Sequence, residues 1–554
     1  MEITDPSGWK TRLDRQMIAE YTASGVWRGE TLADCALRQA SRQPDSVAVV
    51  EGPNSRSFGA LVSEAQQLAS AFEASGLKAG DVVSFQLPNW VEAMTVNLAA
   101  AMCGLVCNPI VPIYRDAEVR YILRDCDAKV FFVPQSFRSI EYADMVRRLR
   151  GELPSLRDVV VVRGAAGEDT AFADMLARGN PSSFAPRRVD ANAIKLVLYT
   201  SGTTGNPKGV LHTHNTIMAE LTAVSAFFRL SDEDVVLMPS PVTHITGYLY
   251  ALELVLVRGI KAVLMERWNA SEAVDLIDRH RASFTVGATP FLVELIDEAQ
   301  RRGSRLPSMR QFVSGGAPVP PDVIRRANRV LGAGMAFRVY GSTEAPTVTL
   351  GIQDRAQEEL GAITDGRIVN HDVRIVDPAT GRAVPEGTEG EIVTRGPELM
   401  VGYTDWQQTL DSFDGDGFFH TGDLGYLSHG DYVTVSGRKK DLIIRGGENI
   451  SPKEIEDVLH RNPTIHEVAI VSMPHTRLGE TVCAFVIPAQ GAEVDLRSVC
   501  EWLERAGLAR QKFPERLEIV PDLPRTASGK VQKNILRQRI RDLIAATTPP
   551  ASDT

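Results

Sequence analysis

The sequence predicts an α/β protein: a large N-terminal domain of layered α/β subdomains, a β-rich subdomain attached to it, and a small α+β C-terminal domain. Three observations carry this. Short β-branched runs alternate with longer amphipathic stretches through most of the chain. Past Gly361 the pattern changes to short strands joined by Gly and Pro turns. After the glycine-rich turns between Gly437 and Asn449, strands and helices resume. A chain of 554 residues is also too long for one hydrophobic core.

In chain order, the strands of the large domain are DVVSFQL (81–87), AKVFFVP (128–134), DVVVV (158–162), IKLVLYT (194–200), DVVLMP (234–239) and KAVLME (261–266). Phe58–Ser75 and Ala270–Arg281 have helical amphipathicity, and the alternation favours mainly parallel sheets. The most apolar long stretch, Ala93–Tyr114, contains Asn97, Asn108, Pro109 and Pro112, which are costly in lipid. It reads as a buried helix and a buried strand, so no stable membrane insertion is expected. Residues 371–396 form the β-rich subdomain. A boundary at 437/438 separates domains 1–437 and 438–554, the second about 115 residues long. That domain has helices at Ser451–Leu459, Leu496–Arg505 and Gln532–Ile544, strands at Val468–Met473 and Thr481–Ile487, and a disordered tail from about residue 546.

Composition narrows the function classes. Apolar residues make up 44 % and charged residues 23 %, as in an ordinary globular protein. The net charge of −10 speaks against a nucleic-acid-binding surface. The cysteines at 35, 103, 107, 126, 483 and 500 contain no CxxC pair and read as reduced structural thiols of a cytoplasmic protein. MEITDPSGWKTRLDRQM lacks the basic-then-apolar order of a signal peptide, and the last residues are not SKL.

The strongest chemical signal is YTSGTTGNPKG at 199–209, which follows the strand IKLVL directly. Small hydroxyl residues and glycines let backbone N–H groups and hydroxyls approach a polyphosphate, and Lys208 adds a positive charge. The spacing is not that of a Walker loop, because Gly209 follows the lysine. SGGAP (314–318), YGSTEA (340–345), TGDLGY (421–426), GRKKDLIIRGGENISPKEIE (437–456) and PRTASGK (524–530) follow in that order. Together these six segments resemble the signatures of the adenylate-forming superfamily, which includes acyl- and aryl-CoA synthetases, luciferases and the adenylation domains of peptide synthetases. The resemblance spans nearly the whole chain.

It implies ATP, Mg²⁺ and coenzyme A as co-substrates or cofactors, and a small-molecule carboxylic acid as substrate. By resemblance, Thr200, Ser201, Gly202, Thr203, Thr204, Gly205 and Lys208 hold the phosphates. Gly315, Gly316 and Ala317 form a turn beside adenine. Tyr340 packs on adenine with Gly341 and Ser342 alongside, Thr343 contacts phosphate, and Glu344 binds Mg²⁺. Asp423 and Arg438 take the ribose. Lys530 reaches the acid and the α-phosphate, making it, with Thr343, Glu344 and His244, part of the catalytic set. The small domain is then mobile, pivoting near Lys440, and Gly446 and Gly447 line the tunnel for the pantetheine arm.

The acid is less legible. In relatives its pocket is lined around 241–250, by 286–291 and beside the adenine turn, which points to His244, Thr246, Ala288, Gly316 and Gly341. No Asp stands in 241–247 to pair an α-ammonium, which disfavours amino acids, and the mostly neutral lining suits an apolar acid. The segment 17–49, MIAEYTASGVWRGETLADCALRQASRQPDSVAV, resembles cyclohexanecarboxylate- and medium-chain acyl-CoA ligases, implying an alicyclic, aromatic or medium-chain acid. His212 and His214 in HTH have metal-pair spacing but no further ligand nearby in sequence, and read as a helix or loop face. A carrier-protein acceptor, a non-catalytic nucleotide-binding homologue and an oxygen-dependent luciferase are the rival readings. Oligomeric state is left open, a homodimer included.

Overall fold

In a computed structural model, which describes residues 3–200, 206–316, 319–446, 448–525 and 530–547, the apolar runs become the inner strands of two large sheets. The first has eight strands in the order Thr170–Ala171, Asp158–Val162, Val130–Pro134, Val82–Phe85, Val106–Pro109, Ile194–Thr200, Lys208–Thr213 and Gly402–Tyr403. Pairing is parallel as far as Ile194–Thr200 and antiparallel for the last two. The second has seven, Met335–Arg338, Gln311–Ser314, Phe284–Gly287, Val235–Met238, Lys261–Leu264, Val47–Glu51 and Asn54–Ser57, parallel except for the last hairpin. The mainly parallel expectation therefore holds, with antiparallel hairpins only at the edges.

Ala93–Tyr114 does split into helix and strand. The helix Val91–Cys103 is apolar all round and touches strands of both sheets, so it is buried on every side except at Glu92. It stops at Gly104, whose φ of +68° gives the left-handed C-terminal cap. Asn97 and Asn108 are buried but bonded. The Asn97 amide donates to Glu253 and accepts from the Tyr248 hydroxyl, both at 2.7 Å, and the Asn108 amide donates to Ser84 Oγ at 2.9 Å.

Residues 371–396 supply Asp372–Val376 and Gly390–Arg395, which join Phe419–Ser428 and Tyr432–Arg438 in an antiparallel sheet. The last sheet comprises Glu448–Ile450, Ile443–Arg445, Gly479–Pro488, Ile465–His475 and Arg516–Ile519, with Pro452–Leu459, Leu496–Arg505 and Lys533–Thr547 as its helices. The final helix extends to Thr547. Leu536 and Ile540 are buried against Val471 and Phe485, and Leu543 and Ile544 pack alongside, so the apolar stripe carries the helix on. The six cysteines are unpaired. Among the described residues no helix is long and apolar enough to cross a membrane.

Candidate active site

The carboxyl ends of the parallel strands lead into the predicted motifs. Gln311–Ser314 runs into Gly315 and Gly316, Met335–Arg338 into Tyr340–Glu344, Phe284–Gly287 into Ala288, and Val235–Met238 into the turn that reaches His244. Ligands of α/β sheets gather at such ends. A Cβ on Gly341 would collide with the carbonyl oxygen of Pro346, and one on Gly315 would stand 2.8 Å from that of Val339.

The segment Tyr340–Glu344 is tied down through its backbone. Tyr340 N–H donates to Thr349 Oγ1 at 2.8 Å, Ser342 N–H donates to the Ala345 carbonyl at 2.8 Å, and the Ser342 hydroxyl accepts the Ala345 N–H at 3.2 Å. The Thr343 carbonyl lies 2.8 Å from His212 Nε2, and the Glu344 carbonyl accepts Met400 N–H at 2.8 Å. The Glu344 carboxylate accepts the Tyr403 hydroxyl at 3.0 Å, and Lys208 Nζ stands 5.2 Å from the centre of the Tyr403 ring. Lys208 faces Thr200 across the hairpin, while Tyr403 pairs with Val210, two residues on, so the two groups are diagonal neighbours on one face of the sheet.

Asp423 and Arg438 are cross-strand partners. Arg438 Nε meets Asp423 Oδ1 at 3.0 Å, and the Tyr340 hydroxyl donates to Asp423 Oδ2 at 2.8 Å. The Asp423 charge raises the guanidinium further above its ordinary range, and burial first, then Asp423, raises the phenol. A carboxylate accepts about four hydrogen bonds, so the Arg438 and Tyr340 contacts do not by themselves exhaust Asp423.

Lys530 arrives from the far end of the sequence. Its Cε would lie 3.6 Å from a Cβ on Gly316. Burial, then the charge of Arg438, lowers the ammonium to about 8, while Asp423 and Glu344 act the other way. His244 is half-buried, and its desolvation, with Lys530 nearby, holds its imidazole down to about 3. Its Nδ1 accepts Thr246 N–H at 3.4 Å, so the neutral ring carries its proton on Nε2.

The structure thus gathers Gly316, Tyr340, Glu344, Asp423, Arg438, Lys530 and His244, with Thr246 beside His244 and Ala288 at the end of a neighbouring strand. Ser201, Gly202, Thr203, Thr204, Gly205, Ala317 and Gly447 lie outside the described residues. Lys440 sits in the single 3₁₀ turn Lys439–Asp441 that follows Arg438. Gly446 is not brought to this group. It occupies the hairpin between Ile443–Arg445 and Glu448–Ile450, at φ +60°, with its N–H on the Leu478 carbonyl at 2.9 Å.

Two supporting residues escaped the sequence reading. Of the HTH pair, His214 opens the helix His214–Phe227 as expected of a helix face, whereas His212 lies in the strand Lys208–Thr213, and both are buried. His212 braces Thr343, and burial lowers its imidazole to about 4, which keeps the ring neutral. Its place at the inward end of an apolar strand was the available signal. Tyr403 gave none, because it meets Glu344 only through pairing distant in sequence.

The model of the AMP-binding enzyme family matches residues 37–404, and that of the AMP-binding enzyme C-terminal domain matches 454–530. A medium-chain fatty-acid–CoA ligase of Escherichia coli is 35 % identical over 534 residues, 95 % of this chain and 93 % of that protein. A vibriobactin-specific 2,3-dihydroxybenzoate-AMP ligase of Vibrio cholerae is 31 % identical, covering 98 % of both chains. The crystal structure of ATP-bound MatB from Rhodopseudomonas palustris superposes with a TM-score of 0.82 at 29 % identity, over 92 % of this chain and 99 % of that one. This chain therefore belongs to the AMP-binding enzyme family and is an adenylate-forming acid ligase.

Proposed function

We propose that the protein is an AMP-forming acyl-CoA ligase acting on an alicyclic, aromatic or medium-chain acid. The observation that carries the reading is Lys530, placed against Gly316 and close enough to Asp423, Glu344, Arg438 and His244 for their charges to be coupled.

In the first step a carboxylate oxygen bonds to the α-phosphorus of ATP and the bond from that phosphorus to pyrophosphate breaks. Two anions must approach, and charge grows on the equatorial oxygens, so fixed cations lower the barrier. Lys530 does this at the acid and α-phosphate, and Lys208 at the remaining phosphates. Tyr340 packs on adenine, and Asp423 accepts from the ribose hydroxyls. Glu344 fits a magnesium ion, because an oriented carboxylate and substrate phosphates are the oxygen donors this ion takes. When bound, the ion would neutralise phosphate charge. In the second step the thiol of coenzyme A forms the C–S bond and AMP leaves with the electron pair of the broken anhydride bond. No enzyme nucleophile is used. The domain 438–554 swings about Lys440 between the steps, exchanging Lys530 for the pair Gly446 and Gly447.

A carrier protein in place of coenzyme A is the second reading, supported by the Vibrio relative named as an AMP ligase. The deciding experiment supplies ATP, Mg²⁺ and CoA with a panel of alicyclic, aromatic and straight-chain acids and reads products by mass spectrometry. Acyl-CoA is expected. Acyl-adenylate alone would move the acceptor to a carrier protein, and neither product would refute the reading.

Two further results are expected. Acyl-adenylate formation needs the charged form of Lys530, which exists below its pKa. The kcat/KM for ATP should therefore fall on the alkaline side with a midpoint near the ammonium value of about 8. A profile flat through that range would exclude Lys530 as the required cation. Asp423→Asn should raise the KM for ATP about tenfold or more, with a smaller change in kcat, because it strips Arg438 of its counter-charge and the ribose of its acceptor. An unchanged KM would remove Asp423 from the nucleotide site.

A further inference from the structure

Among the described residues, no cation pairs with one buried carboxyl of the large domain. Glu220 lies in the helix His214–Phe227, nearly all of which is buried, and is itself 1 % exposed. Its Oε1 accepts from the Tyr250 hydroxyl at 3.2 Å and from the Thr347 hydroxyl. Among the described residues no ion pair involves it, and no donor reaches its Oε2. The other charged group that acts on it is Glu398, a like charge. The contrast with Glu253 is informative, because that buried carboxylate has Lys195 as its partner. Burial raises the Glu220 carboxyl to about 8, so at neutral pH it keeps its proton. Two hydroxyls lie against Oε1, which leaves Oε2 as the oxygen open to carry and donate the acid proton.

Three elements tie this buried cluster to the segments that carry the candidate acid site. Tyr250 follows His244 in the π-helical turn Tyr248–Glu253, a wide turn common at functional sites, and that turn packs on the helix of Glu220. Thr347 is three residues beyond Glu344. The Tyr250 ring meets Phe284 edge-on at 6.1 Å, and Phe284 begins the strand that ends at Gly287 and leads into Ala288. The cluster is therefore held by the same segments that carry His244, Glu344 and Ala288.

We infer that the acyl pocket selects an acid carrying a hydroxyl or keto oxygen beyond its carboxylate, with Glu220 bonding that oxygen and Tyr250 and Thr347 fixing the orientation of Glu220. This rests on the acid-activating reading above and narrows its substrate class: the alicyclic, aromatic or medium-chain skeleton bears an oxygen function. A purely hydrocarbon acid leaves the Glu220 proton without an acceptor in a dry site, the situation that makes hydrogen-bonding pockets discriminate strongly.

The test uses matched acids: cyclohexanecarboxylate, benzoate and octanoate against their hydroxy, keto and amino derivatives. Acid-dependent pyrophosphate release with ATP and Mg²⁺ is followed in the full-length enzyme. In at least one family the oxygenated acid is expected to exceed its parent by about 100-fold or more in kcat/KM. Glu220→Leu should collapse that ratio to within about threefold, and Glu220→Gln, which keeps a donor, should retain most of it. Thr347→Val, a near-isosteric change, should lower the ratio in a protein of unaltered melting temperature, so the result does not hang on the folding of Glu220→Leu. A preference for the hydrocarbon or the amino acid in every family, or a ratio unmoved by Thr347→Val and Glu220→Leu, overturns the inference while pyrophosphate release keeps the ligase reading. No release with any acid sinks both.

Discussion

Lys530→Ala is expected to slow acyl-adenylate formation by about 100- to 1000-fold, yet to leave thioester formation from supplied acyl-adenylate close to the unmodified rate. The asymmetry follows from where charge develops. Bond formation at phosphorus adds charge to oxygens already anionic, and Lys530 is the cation set against Gly316 where the acid and α-phosphate would meet. Attack of a thiol on the finished anhydride expels AMP and makes no such demand on this residue. Gly447→Leu should behave in the opposite way, closing the pantetheine path while sparing adenylation. Pyrophosphate exchange measures the first step, and thiol-dependent loss of synthetic acyl-adenylate the second. Equal damage to both steps in both variants would refute the division of labour between the two faces of the small domain.

Lys195→Met is expected to destabilise the large domain by about 3–5 kcal/mol. The Lys195 and Glu253 side chains are 2 % and 1 % exposed, and they pair directly. Glu253 also takes the Asn97 amide at 2.7 Å, and Asn97 in turn takes the Tyr248 hydroxyl at 2.7 Å. Removing the lysine leaves a buried carboxylate with only neutral partners, the Asn97 amide and the nearby Tyr248 phenol, and the penalty is that of a stranded charge rather than of a lost contact. The double variant Lys195→Met/Glu253→Leu should recover much of the loss, because neither charge then needs solvation. The midpoint of the first urea transition, followed by tryptophan fluorescence, reads both variants. A single variant within about 1 kcal/mol of the parent, or a double variant weaker than the single, would show that the pair is not balanced in this way.

The strands and helices were legible because their patterning is local. DVVVV at 158–162 and the stripe of Leu496–Arg505 appear at the residues expected. The antiparallel turn-back of Lys208–Thr213 and its pairing with Gly402–Tyr403 were not, since no local period encodes which distant strand lies alongside. The same division runs through the site. Glycines and charged residues in tight motifs stand out in a sequence, and the structure gathers many of them. His212 and Tyr403, which hold Thr343 and Glu344 in place, look like ordinary core and strand residues until tertiary pairing joins them to the motif. Glu220 is the sharpest case. It sits on a helix whose sequence, HNTIMAELTAVSAF, gives no sign of where its one acid points.

The strand Gly402–Tyr403 bridges what would otherwise be separate blocks. Its backbone joins the first sheet at Val210 and Leu211, its hydroxyl holds Glu344 from the second sheet, and the residues just before it take the Glu344 carbonyl and Leu211. On the proposed reading, the triphosphate side of the site is then a stator fixed to the first sheet and to the Tyr340–Glu344 segment, and Lys530, beyond the 3₁₀ turn at Lys439–Asp441, is the rotor. A modification or partner that restrains the rotor would change turnover without loosening the grip on nucleotide, so such a control would appear as a brake on throughput at constant occupancy.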